Sequence, residues 1–335
     1  MDKRTNFKYY LKQILSPFWI FLGAAIKEYW YDLMRYYHHS ATAMVNNRSK
    51  LTGKIIARYH VIEKGLVMPE PRLGFGKEVI EVLINDSIEY IKKYGQSDEQ
   101  LQHAIAVIFE YIEFNQKNGY QLEKTTLQRV DELKAHIKIE MNRCAQRKIT
   151  DNEFFKHSES PFPVFSNSRS SVRNYAEEDI PIDLLYKAMD LVRNTPSACN
   201  RQSVRVYIYS NKKEIKKILS AQGGNRGFGE LANKLIVITS ELGNYSFLSE
   251  RNLLFIDGGI YAMNLLYALH YYKIAACILN CSFTKNKEQL MRRLTKIKDS
   301  ETFVVMISCG FAPKEFKIPI SKRYTLENIV NVINT

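Results

Sequence analysis

Apolar positions in residues 77–94 (KEVIEVLINDSIEYIKKY) fall at Val79, Leu83, Ile84, Ile88 and Ile91, a spacing that predicts one face of an α-helix. Leu101–Phe114 and Leu122–Met141 repeat the pattern, separated by polar breaks near Gly95 and Gly119. No strand-like alternation appears before residue 150. That half therefore reads as an all-helical module, or as helices wrapped on the second half. The Ser- and Pro-rich stretch 157–168 (HSESPFPVFSNS) marks a linker, placed at 151–167. Beyond it the pattern changes. Helices are predicted over Ile182–Arg193, Lys212–Ser220, Asn252–Tyr271 and Lys287–Leu294. Between and after them lie the strand-like runs Val204–Ser210, Leu235–Ser240, Ile274–Asn280 and Phe303–Cys309. Strands separated by helices imply an α/β or α+β sheet covered on both faces, here over residues 168–335.

The N-terminal stretch reads in three ways. Met1–Lys12 is basic and Ile14–Ile26 (ILSPFWIFLGAAI) is apolar with small residues at its end, the outline of a signal peptide with Ala25 as a cleavage point. Pro17 stands against that reading, and the run is shorter than the about 20 residues that a bilayer span needs. The following IKEYWYDLMRYY mixes Tyr and Trp with charges, which suits a helix lying in a membrane interface. A helix packed on the protein's own core is the plainer alternative.

Composition narrows the class. A chain of 335 residues, 45% apolar and 25% charged, is that of a globular protein of two ordinary domains. The 48 Lys and Arg against 35 Asp and Glu leave a net charge of +13, which favours anionic partners: phosphorylated cofactors, lipid headgroups or nucleic acid. The basic residues are scattered through helices instead of interleaved with aromatics on one module, so nucleic acid is not expected. The five cysteines (144, 199, 277, 281 and 309) are odd in number and lack framework spacing, which argues against an oxidised secreted protein. No metal is expected, since Cys277 and Cys281 have no second pair or His cluster beside them. A cytoplasmic location follows, with the N-terminal segment as a candidate for peripheral contact with the inner face of the membrane.

Four stretches carry chemistry. In Arg169-Ser170-Ser171-Val172-Arg173, two guanidinium forks bracket two hydroxyls, a set that binds phosphate, or else a solvated basic turn. In Pro196-Ser197-Ala198-Cys199-Asn200-Arg201-Gln202, Pro, small residues and two carboxamides suit a tight loop able to follow the polar edge of a planar heterocycle, or a simple Asn turn. Lys322-Arg323 is a basic pair, ordinarily solvated. Tyr59–Gly76 (YHVIEKGLVMPEPRLGFG) could place His60, Glu63 and Lys64 on one helix face, and reads mainly as a structural joint, since His and Glu three apart make half a metal motif. The glycine-rich 223–229 lacks the ending of a phosphate loop and does not follow a strand, so it reads as a flexible connection.

Taken together, RSSVR, PSACNRQ, the run Phe255–Asn280 and the terminal basic pair resemble the nitroreductase family over about half of the chain. The HxxEKGL and PRxGFG signatures of residues 60–76 are similar to what precedes such domains in some bacterial polysaccharide-cluster proteins. The resemblance implies an α+β, three-layer domain with a central mixed β-sheet, and an FMN-dependent oxidoreductase that passes hydride from NAD(P)H through flavin N5 to a small-molecule acceptor. It implies that Arg169, Ser170, Ser171 and Arg173 hold the FMN phosphate and ribityl chain. Pro196, Ser197, Ala198 and Asn200 would line the isoalloxazine ring, with Gln202 in support. Lys322 and Arg323 would add charge at the phosphate, from the same chain or a partner, because the family builds its site at a homodimer interface. No side chain is assigned an acid–base role. Two departures stand out: Tyr272–Ala276 replaces a Gly-Leu-Gly-Thr-like turn, which puts the N5 contact near 278–281, and the excursion that caps the site is trimmed, a part the N-terminal helices could take over. The alternatives are a redox-inactive flavin-binding protein, a membrane-surface accessory protein, or use of a deazaflavin-type cofactor.

Overall fold

The computed structural model describes residues 3–41, 47–137 and 144–333, with the side chains of the first helix described from Phe18 onward. Five helices come first: α1 (Lys3–His39), α2 (Arg48–Leu66), α3 (Lys77–Tyr94), α4 (Glu99–Lys117) and α5 (Lys124–His136). The last positions of the helix expected over Leu122–Met141, 138–141, lie outside the described residues. Two starts are capped by short polar side chains that accept otherwise orphaned amides. Asn47 takes Lys50 N at 2.9 Å, and Asp98 takes Gln100 N and Leu101 N. The apolar faces meet in a core of their own, with Leu51, Ile55, Ile62, Leu83, Ile105 and Ile108 almost fully buried. Gly65 has no side chain where the ring of Phe75, in the turn before α3, lies against α2.

One strand precedes the expected boundary. β1 (Gln146–Thr150) pairs antiparallel with the final strand, Gln146 opposite Pro319 and Thr150 opposite Glu315. Its sequence, QRKIT, buries only Ile149, so no alternation announced it. The stretch expected as a linker is packed structure: α6 (Asp151–Phe155) and α7 (Phe162–Ser168). Thr150 and Glu153 cap α6 reciprocally, and Phe154 and Phe155 are buried against Phe316 and His270. The Ser and Pro residues describe the turns here, while the aromatics between them fix the segment to the domain.

The second half then runs α8 (Ile182–Leu191), β2 (Val204–Tyr209), α9 (Lys212–Gln222), β3 (Lys234–Glu241), α10 (Leu253–Tyr271), β4 (Ala275–Asn280), α11 (Lys285–Thr295), β5 (Glu301–Gly310) and β6 (Glu315–Pro319). The main sheet has the order β2-β3-β5-β4. β3 sends Leu235 and Val237 into one core with α9 and α11, and Ile236 and Ile238 into another with α8 and α10. That two-sided burial is the three-layer, α+β arrangement, and it explains why LIVITS is apolar without alternation. The sheet is not mixed: every described pairing is antiparallel. β3 and β4 run the same way, as the crossover through α10 requires, but β5 inserts between them and turns one parallel pair into two antiparallel ones.

Candidate functional site

A cleft of about 790 Å³ opens where the helical region meets the sheet domain. α2 supplies Ile56, Tyr59, His60 and Glu63, and α4 supplies Gln100. The segment after α7 supplies Arg169, Ser170, Ser171 and Arg173. Met263 and Tyr267 come from α10, Ile278 from β4, and residues 319–324 close the rim. Tertiary folding thus unites the two basic motifs that stand farthest apart in the second half of the chain.

Each basic motif is held by its backbone. Val172 is fully buried and its amide donates to Ala276 O at 3.0 Å; Ala176 N donates to Phe311 O at 2.9 Å. The Tyr175 hydroxyl, buried 3.0 Å from Ser308 Oγ, anchors the same strip. Between these anchors Arg173 is 6% exposed, yet its Nε and Nη1 have no hydrogen-bond partner, and neither has Arg169 Nε. Buried donors left unpaired cost on the order of 1–3 kcal/mol each, more when charged, so this cluster is incomplete without an anion.

The electrostatics agree. Burial, and then the charges of Arg173 and Arg226, push the Lys64 ammonium below its ordinary pKa. Burial likewise lowers Arg169, and the Arg323 charge adds to the effect. His270, whose Nε2 lies 2.8 Å from Ser168 Oγ, is brought down to about 4 by burial and by Arg169. Since Ser168 Oγ already donates to Phe165 O, the imidazole N–H donates to Ser168. The Cys277 thiol is raised by burial in spite of Arg173 and Lys64 beside it. Among the lining residues Glu63 is the one carboxylate.

Glu63 is already spoken for. It is fully buried, accepts from His103 Nε2 at 2.9 Å and Ser321 N at 2.8 Å, and lies 3.7 Å from His60 Nδ1. Burial pushes its carboxyl up, but these bonds outweigh it and bring the pKa down to about 2. Gln100 Nε2 reaches Lys322 O at 3.3 Å while its Oε1 accepts from Tyr59 at 2.6 Å. The helical region therefore sets the course of Ser321-Lys322-Arg323, with Ser321 held at φ 49°. The joint around His60, Glu63 and Lys64 is structural and also a wall of the cleft. Sequence reading found it as an odd motif, and spacing alone had no way to show its partner in residues 321–323. Gln100 left no signal at all.

The 196–202 loop lies elsewhere. None of Pro196, Ser197, Ala198, Asn200 and Gln202 lines the cleft of its own chain. The loop is strapped to α10: Ala198 N donates to Asp257 Oδ1 at 3.1 Å, and Asn264 Nδ2 to Thr195 Oγ1 at 2.6 Å. Gln202 N is tied to Ser197 Oγ at 2.9 Å. Asn200 and Gln202 are exposed, and Cys199, Asn200 and Gln202 all have φ near +50°. Such backbone in residues other than glycine persists only where its surroundings impose it. The glycine-rich loop is no loose connection either. Asn225 is buried and bonded to Leu219 O and Gln222 Oε1, and Gly224 O accepts from Lys64 at 3.3 Å.

Residues 167–225 match the family model described as the Nitroreductase family. Among curated proteins none matches this chain. Similar solved structures include a putative NADH oxidase from Clostridium acetobutylicum, at 19% identity and TM-score 0.44, covering 50% of this chain and 97% of that one. An FMN-dependent nitroreductase from Clostridium difficile R20291 aligns at 18% identity and TM-score 0.43, covering 51% and 98%. A nitroreductase family protein from Clostridium difficile 630 aligns at 21% and 0.43, covering 51% and 97%. The segment 167–225, which holds the buried arginine motif and the strained loop, is the part of the chain that is similar to the Nitroreductase family model.

Proposed function

We propose that this chain is an FMN-dependent oxidoreductase that takes hydride from NAD(P)H and delivers it to a small-molecule acceptor. The observation that carries the reading is Arg173, buried at the cleft with two guanidinium nitrogens unpaired among Arg169, Lys64 and Arg323. A phosphate monoester supplies the acceptor oxygens this cluster lacks, and Ser170 and Ser171 add hydroxyls along the adjoining chain. FMN, when bound, supplies hydride transfer at N5. The protein's part is to bind it, orient it and set the charge around it. Arg169 and Arg173 would hold its phosphate, and Ile278 gives the cleft an apolar wall.

We further infer that a second copy completes the site. In the loop, Pro196, Asn200 and Gln202 are exposed, Ser197 and Ala198 are half-buried, and Asn200 and Gln202 have left-handed backbone; α10 beside it leaves Phe255, Ile256 and Ile260 in solvent. Pairing across that face would bring one copy's loop to the ring of a flavin held by the other. The polysaccharide-cluster likeness of residues 60–76 suggests a biosynthetic pathway as its setting.

The visible spectrum of freshly purified protein, followed by NADPH under anaerobic conditions, tests the reading. A yellow protein that bleaches supports it. A yellow protein that does not bleach indicates a redox-inactive flavin binder. A colourless protein that takes up no added FMN overturns the assignment.

A further inference from the structure

α1 is turned the wrong way round for a helix that only packs on its own protein. Its half-buried stripe is Leu22, Ala25, Glu28 and Asp32, and the contact is largely ionic: Arg251 meets Asp32 at 2.8 Å and Glu28 at 3.5 Å. At the far end Lys50 Nζ bonds to His38 O at 3.0 Å. The large apolar residues face away. Trp19, Ile26, Trp30, Leu33 and Tyr37 share one side at helical spacing, and each is at least 55% exposed. No comparable apolar side faces solvent in α2–α5, whose large apolar residues fill the helical core.

We propose that this face of α1 lies on an anionic phospholipid surface. Three features choose lipid over protein. The face is built of Trp and Tyr, whose apolar rings and polar tips suit the boundary between headgroups and acyl chains. Its two described acids are turned inward and neutralised by Arg251, and Lys27 stands on the flank of the face as an outward charge. The sequence ahead adds Lys3, Arg4, Lys8 and Lys12 against Asp2, on a chain of net charge +13. A second copy docking through the same face would set these like charges together and bury tyrosine hydroxyls without partners. The inference is independent of the flavin reading.

The chain contains two tryptophans, Trp19 and Trp30, and both lie on this face. Tryptophan fluorescence of the full-length protein, excited beyond the tyrosine absorption, therefore reports on α1 alone. The experiment adds vesicles of phosphatidylglycerol and phosphatidylcholine in equal parts, or of phosphatidylcholine alone, and follows emission and co-sedimentation. Anionic vesicles should shift emission to the blue and carry the protein down. Added salt should weaken this, and the variant Lys27→Glu should lower partitioning by about fivefold or more. Unshifted emission with the protein left in the supernatant overturns the proposal. So does equal, salt-insensitive binding to neutral vesicles. A blue shift in buffer that grows with protein concentration, matched by dimer in sedimentation, assigns the face to a second copy instead.

Discussion

Arg173 and Asn200 sit on either side of α8, in the same family-matched segment, and they are held by opposite means. Arg173 is buried, its backbone neighbours are anchored in the sheet, and its guanidinium lacks partners. Asn200 is exposed, its loop is hydrogen-bonded within itself and to α10, and its backbone is in the left-handed region. The first arrangement is a polar deficit that a ligand removes. The second is a shaped surface that is complete by itself and has nothing to touch in its own chain's cleft. A cofactor that needs both can be gripped at its phosphate by one chain, while its ring waits for contacts from another. One residue can thus be tested by what it lacks and the other by what it presents.

The largest effect is expected where the buried half is framed. Glu63→Ala would leave His103 Nε2 and Ser321 N without their acceptor and should cost on the order of 4 kcal/mol in chemical denaturation. A loss below about 1 kcal/mol would mean that the joint does not hold the rim. Next comes acid. His270 has a folded pKa of about 4 against 6.5 normally, so above pH 6.5 both states are neutral and its contribution is whole. As pH falls below 6.5 the unfolded chain takes up a proton that the fold refuses, and stability drains until about pH 4. The total is on the order of 3 kcal/mol, and the slope over that window should flatten in His270→Gln. Glu63, lowered to about 2, adds a second loss from its ordinary 4.5 downward.

A sharper test separates ligand from fold. Arg173→Met should weaken FMN binding by about 100-fold, roughly 2.7 kcal/mol, measured by flavin fluorescence titration. The same change should leave the melting temperature of the apoprotein unchanged or raised, because two unpaired buried donors disappear. A variant that loses stability and keeps FMN would reverse the argument. The smallest effect belongs to the loop. Asn200→Gly relieves a left-handed residue and should stabilise by roughly 0.5 kcal/mol. It should weaken FMN only about fivefold, as the loss of one hydrogen bond would. If Asn200→Gly equals Arg173→Met in its effect on FMN, the two halves do not differ as described.

Legibility followed the same division. Helix and strand positions in the second half were readable because its apolar runs are long and bounded by turn residues: α9 and β3 appear within about two residues of their expected ends. β1 was not readable, because a surface ribbon with one buried residue leaves no period. The mixed sheet was expected from the family resemblance, while the strand-helix alternation by itself left α/β and α+β both open. The order in which strands fill a sheet is not written in any one of them.

By itself the sequence determined the local elements, the two covered faces of β3, the basic arginine motif and the small-residue loop, since each depends on side chains close together along the chain. It also contained the odd His60-Glu63-Lys64 motif, without its meaning. Only the tertiary structure decided that Arg173 would be buried unpaired, that α2 and α4 would hold Ser321-Lys322-Arg323 at the cleft, that the 196–202 loop would face away from it, and that α1 would turn its acids inward and its tryptophans out. These depend on which charges and donors meet across the fold, and burial sets the strength of those meetings.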